Sequence, residues 1–136
     1  MDRKEKKFDL IKKIENGLIS DNCCLLLLRG SDELGSFTIN DLDCFVLEEQ
    51  LDLILNRFKE IAVASDLRVV LKGNYFFKKV TFLDTSCVVL DVDLFVKVRR
   101  YWWDLVDHNA LRIAAFELSG IIAVSSVLEF VITFKK

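Results

Sequence analysis

The 136-residue chain contains no proline, one histidine and four cysteines, and its charges nearly cancel. Without proline, internal repeat or low-complexity linker, nothing marks a domain boundary, and one domain over 1–136 is expected. That length suits one core. No run reaches the ~18 uncharged apolar residues of a membrane span, since Glu117 and Glu129 interrupt the apolar C-terminal region. The charged start, Met1 to Lys7, leads into Phe8, Leu10, Ile11, Ile14 and Leu18 at helical spacing, not into the continuous apolar core of a signal peptide. The cytoplasm is the expected compartment.

Cys23, Cys24, Cys44 and Cys87 show no C-x-x-C spacing, and each sits in an apolar run. They read as free buried thiols in a reducing compartment. With His108 as the lone histidine, a zinc cluster lacks ligands and a Cys-His nucleophile lacks its base. His108 follows Asp107 in a polar patch that starts a helix, and it reads as exposed. Nineteen Lys and Arg stand against 21 Asp and Glu, giving a formal charge of -2 and a pI near 5.4. A broad basic surface for duplex nucleic acid is therefore not expected, and any partner should be small or singular.

What is present is apolar sequence in strand-like and helix-like blocks: 52% of residues are hydrophobic and the mean hydropathy is +0.31. Residues 3–19 form an amphipathic pattern with a lysine-rich face, broken at Ser20-Asp21-Asn22. Residues 23–29 are apolar on both faces, as in a covered central strand. A strand over 41–47 precedes a helix over 48–65, in which Leu51, Leu55, Phe58 and Ala62 recur at helical spacing behind acids in the first turn. Strands follow over 67–72 and 75–83, joined by the hairpin signal Gly73-Asn74, and over 87–98. In the last of these, Val88, Leu90, Val92, Leu94, Val96 and Val98 form one apolar face, and Asp91 and Asp93 lie on the other. A helix over 110–118 ends before Gly120. Residues 121–134 then give a short strand or turn and an apolar terminal helix. The expected fold class is α/β (α+β): a mixed sheet with flanking helices.

One stretch organises the rest. Leu25-Leu26-Leu27-Leu28 runs into Gly30-Ser31, nine residues follow, and Asp41-Leu42-Asp43 then runs into Cys44-Phe45-Val46-Leu47. In a strand, residues i and i+2 share a face, so Asp41 and Asp43 point together while Leu42 and Cys44 point to the core. Two carboxylates side by side repel unless something positive lies between them. A divalent metal is the usual solution, and magnesium favours such oxygens together with substrate phosphates. The Gly-Ser turn suits close backbone approach by an anion. Asp91 and Asp93, bracketed by valine and leucine, are costly to bury unpaired. Lys72, Lys78, Lys79 and Arg29 are the candidate neighbours that could pair with these acids instead.

Gly30-Ser31, nine residues, then Asp41-x-Asp43 between apolar residues resembles the signature of the nucleotidyltransferase superfamily with the DNA polymerase β-like fold. Gly35 matches the Gly-Ser-x-x-x-Gly spacing of its small bacterial members. The resemblance covers roughly residues 22–98, the catalytic core, with 101–136 as a helical C-terminal extension. It implies transfer of a nucleoside monophosphate from an NTP such as ATP to an acceptor hydroxyl. It further implies Mg2+ (or Mn2+) held by Asp41, Asp43 and a third acid. That third acid is Asp93, with Asp91 as the alternative, because Asp93-Leu94-Phe95 better resembles the family's exit from the strand. Gly30 and Ser31 would hold the β and γ phosphates.

Asp32, directly after Gly30-Ser31, and the chain's length motivate two alternatives. One is a non-catalytic nucleotidyltransferase-like binding module. The other is the catalytic half of a two-protein, toxin-antitoxin-like system. The apolar segment 121–134 is expected to dock on a second copy, on a helical partner protein or on the domain's own sheet. Tyr101-Trp102-Trp103 reads as packing rather than base stacking.

Overall fold

The computed structural model describes residues 2–28, 41–85, 87–96 and 108–123. In chain order these form α1 (Arg3–Ser20), β1 (Cys24–Leu27), β2 (Asp41–Phe45), α2 (Glu48–Ala64), β3 (Arg68–Gly73), β4 (Phe77–Leu83), β5 (Val88–Phe95), α3 (His108–Glu117) and β6 (Gly120–Ala123). Among the described residues the strands make one mixed sheet in the order β3-β4-β5-β2-β1-β6. The expected α+β class, a mixed sheet with flanking helices, is what the chain adopts. Among the described residues no helix is long and apolar enough to cross a membrane.

α1 starts where the Asp2 side chain accepts the Glu5 N–H at 2.8 Å, satisfying one of the helix's free donors. Leu10, Ile11, Ile14 and Leu18 then fall on one stripe and are buried. The helix ends as Asn22 takes a left-handed conformation (φ 55°) and Cys23 N–H bonds back to Leu18 O. At this end Arg57 of α2 grips Asp21 with two bonds, 2.8 and 2.6 Å. Gly17 makes room for that arginine, because a Cβ there would lie 2.9 Å from Arg57 Cγ.

α2 buries Ile54, Phe58, Ile61 and Ala62, while Leu51 and Leu55 are only partly covered. Its inward stripe is thus turned slightly from the one the sequence spacing picked out. α1 and α2 cover one sheet face over Leu25, Leu27, Leu42, Cys44, Val80, Phe82, Val92 and Leu94. Phe58 meets Phe82 edge-on at 5.6 Å between ring centres. On the other face, Cys24, Leu26, Phe45 and Leu47 pack on Leu111, Ala114 and Ala115 of α3. β1 is therefore buried from both sides, as its continuous apolar run implies.

A further detail departs from the sequence reading. The alternation of β5 breaks at its start: Leu83 pairs with Val88 and Phe82 with Leu90, so Val89 is an extra residue in a bulge. Val88 is consequently exposed, and Val89 joins the α1–α2 core. In the C-terminal stretch, where a short strand or turn was expected after Gly120, Gly120–Ala123 forms a strand, paired in parallel with β1. A helix begins at His108 as expected, although the side chain of His108 lies outside the described residues. So do the terminal helix placed within 121–134 beyond Ala123, and the aromatic run Tyr101-Trp102-Trp103.

Candidate carboxylate site

β2 and β5 lie side by side and parallel, although a helix and two strands separate them in sequence. Their register sets Asp41 opposite Asp91 and Asp43 opposite Asp93. Because side chains alternate, Leu42, Cys44, Val92 and Leu94 go to the α1–α2 core, and all four aspartates share the opposite face. Neighbouring strands are only about 4.8 Å apart, so each cross-strand pair brings two carboxyl groups together. Four acids in a two-by-two block is an arrangement that like-charge repulsion opposes.

β4 supplies part of the compensation. Its Thr81 stands opposite Asp91, and the hydroxyl donates to Asp91 Oδ1 at 2.5 Å. Lys79 stands opposite Asp93, with its ammonium 3.9 Å from Asp93 Oδ1. That distance makes an ion pair but not a hydrogen bond. Asp93 Oδ1 is buried and has no hydrogen-bond partner among the described residues. The Asp93 carboxyl, only 14% exposed, is pushed up to about 6, first by burial and then by its hydrogen bond with Asp43. Asp41 is also raised, first by burial and then by the charge of Asp91. Without a cation, the block reduces its repulsion by keeping protons.

The four aspartates singled out from the sequence are thus brought together. Gly30 and Ser31 lie outside the described residues. The N–H of Leu28, the last described residue before them, bonds to Asp43 O at 2.7 Å. Of the proposed basic neighbours, Lys79 does face the acids. Cys23, Cys24 and Cys44 are buried free thiols, and Cys87 is half-buried.

Two contributors escaped the sequence reading. Thr81 gave no local signal, because only the β4–β5 register brings it to Asp91. Lys7, 7% exposed, is the buried cation of α1. Burial lowers its pKa first, Arg3 lowers it further, and the charge of Asp41 opposes both. Its signal was available: position 7 lies on the stripe of 11, 14 and 18.

Among the described residues no three Asp, Glu, Cys or His side chains are grouped as a ready-made metal cage. Magnesium rarely needs one, since one or two carboxylates plus substrate phosphates usually hold it. Oxygen-only donors in facing pairs, with one buried oxygen unused, fit that chemistry. A cleft of about 230 Å³ beside α3, lined by Leu47, Arg112, Ile113, Phe116 and Glu117, contains none of these aspartates. Compared with protein-family models, with curated proteins and with solved structures, the chain matches none.

Proposed function

We propose that the protein is a metal-dependent nucleotidyltransferase that moves a nucleoside monophosphate from an NTP to an acceptor hydroxyl. The observation that carries this reading is the register that stacks Asp41 on Asp91 and Asp43 on Asp93 on one face of the sheet. Structural acids gain nothing from such crowding, whereas a cation-binding site needs it.

In this reading Asp41, Asp43 and Asp93 hold Mg2+ (or Mn2+), while Gly30 and Ser31 take the triphosphate. A divalent ion there supplies charge neutralisation for the phosphates and acidifies the attacking hydroxyl. Asp91 is the weaker candidate because Thr81 already occupies its Oδ1, whereas Asp93 Oδ1 has no hydrogen-bond partner among the described residues. Lys79, drawn to Asp93, keeps a cation beside the acceptor side of the site. Burial of Leu42, Cys44, Val92 and Leu94 behind the acids fixes the two strands, so the carboxyl groups stay in place without loop closure. The four free cysteines and the NTP requirement support a cytoplasmic setting.

A second reading, a nucleotide-binding module without turnover, draws on the same β4 partners. Thr81 and Lys79 partly satisfy Asp91 and Asp93 from within the sheet. Incubation with each α-labelled NTP, magnesium and a cell extract separates the two. A labelled product that Asp43→Asn abolishes supports transfer; nucleotide binding with no label under any condition supports the module.

A further inference from the structure

The longest acid-free stretch near the site is the β3–β4 hairpin. From Arg68 to Leu83 it carries Arg68, Lys72, Lys78 and Lys79 and no carboxylate, in a chain of net charge -2. Among the described residues β3 is an edge strand. Its Lys72 lies directly opposite Lys79, so the two ammonium groups share the aspartate face and repel. Neither Lys72 nor Lys78 has an acidic partner among the described residues.

Edge lysines alone are a common guard against strand pairing. The hairpin tip is not explained that way. Tyr75 is 66% exposed and Phe76 47%, and the rings meet edge-on at 5.1 Å. The tip is also braced. Asn74 Oδ1 accepts the N–H groups of Phe76 and Phe77, and the Tyr75 hydroxyl donates to the Glu48 carboxylate. Gly73, at φ +136°, permits the close turn, since a Cβ there would lie 2.1 Å from Phe77 O. Two exposed rings held in place on a hairpin of cations, of which Lys79 also reaches Asp93 at 3.9 Å, match the chemistry of unpaired bases on a phosphate chain.

We infer that the β3–β4 hairpin binds single-stranded nucleic acid, with Tyr75 and Phe76 stacking on bases and Lys72 and Lys79 holding phosphates, and that a strand end is the acceptor. Tyr75 lies in the turn four residues before Lys79, so the two are at most about 13 Å apart along the chain. The strand thus runs from the tip past Lys79 to Asp93. Binding rests on the hairpin alone; the acceptor role rests on the transfer reading above. Single strands are specified because stacking needs free base faces and the chain lacks the broad basic surface a duplex requires.

The test is fluorescence anisotropy of a labelled 12-nucleotide mixed-sequence RNA with the full chain in low salt. The single strand should bind more tightly than the same sequence in a duplex. Two held phosphates give a log–log salt slope of about -1.4. Tyr75→Ala with Phe76→Ala should weaken binding at least about tenfold, and Tyr75→Phe should retain it. Lys72→Gln should reduce the slope by about 0.7. Binding is read without NTP or magnesium, so a failed transfer reaction does not mask this result. Circular dichroism verifies that each variant is folded. The inference is overturned by no binding at about 100 µM folded protein, by equal affinity for the duplex, or by hairpin variants that bind like the parent. Self-association lost on Leu71→Lys, without RNA binding, would equally overturn it and assign the edge to protein pairing.

Discussion

Asp93→Asn should make the protein more stable at neutral pH, which few substitutions of a buried polar group do. The folded carboxyl holds its proton up to about pH 6, whereas the ordinary value is 3.8. Folding therefore favours the neutral form. Stability is greatest below the unfolded value, falls as pH rises between about 4 and 6, and levels off above. A tenfold change in proton affinity corresponds to roughly 1.4 kcal/mol, so the ionised group costs on the order of 3 kcal/mol at pH 7. Asparagine carries no charge at any of these pH values and can donate to Asp43. Residual screening by water at the exposed part of the group and the lost attraction of Lys79 reduce the gain. They leave a stabilisation of roughly 2 kcal/mol, or about 5–8 °C in Tm for a chain of this size. Thermal and urea unfolding of parent and variant between pH 4 and 7.5, with divalent ions chelated, measures the difference directly. It should be near zero at pH 4 and reach its full size by pH 7. A difference that is flat with pH, or an asparagine variant less stable at pH 7, would refute the account of a crowded carboxylate block.

Three further outcomes are expected. Isothermal titration with Mg2+ and ATP should show binding that the folded double variant Asp41→Asn, Asp43→Asn loses; unchanged binding defeats the assignment of the metal to these residues. In single-turnover transfer assays Asp93→Asn should abolish the reaction with nucleotide binding largely kept, and Asp91→Asn should cost much less; equal losses would exchange the two roles. Phe58→Ala should destabilise by about 3–5 kcal/mol in chemical denaturation, because a fully buried ring that meets Phe82 is deleted where rigid strands limit collapse. A loss below ~1 kcal/mol would mean that the α2–sheet contact is not a packed core.

Much of the scaffold was legible from periodicity. The apolar run of residues 23–29 announced a strand covered on both faces, realised as Cys24–Leu27, and the helical stripe of Leu10, Ile14 and Leu18 announced α1. The site was legible in halves. Period two put Asp41 with Asp43, and Asp91 with Asp93, but no local pattern states that β2 and β5 are neighbours in register. That pairing depends on long-range sheet order, as does the approach of Thr81 and Lys79 from β4. The bulge at Val89 was hidden for a related reason: Val88, Val89 and Leu90 are all apolar, so sequence cannot tell which one is the extra residue. A short strand or turn after Gly120 was expected, but its parallel pairing with β1 was not legible, because that too depends on long-range sheet order.

The position of β6 has a consequence for any shortened version of this chain. β1 hydrogen-bonds to β2 on one side and to Gly120–Ala123 on the other, with Gly120 N–H held by Cys23 O at 2.9 Å. A chain cut before Ser119 would retain every aspartate of the site and yet leave Cys24–Leu27 as a bare, wholly apolar border of the sheet. Such a border is a template for adding strands from other molecules. Such a fragment should therefore precipitate or form assemblies rather than act as a minimal domain, so the last described strand serves as a guard for the segment that leads to Gly30 and Ser31.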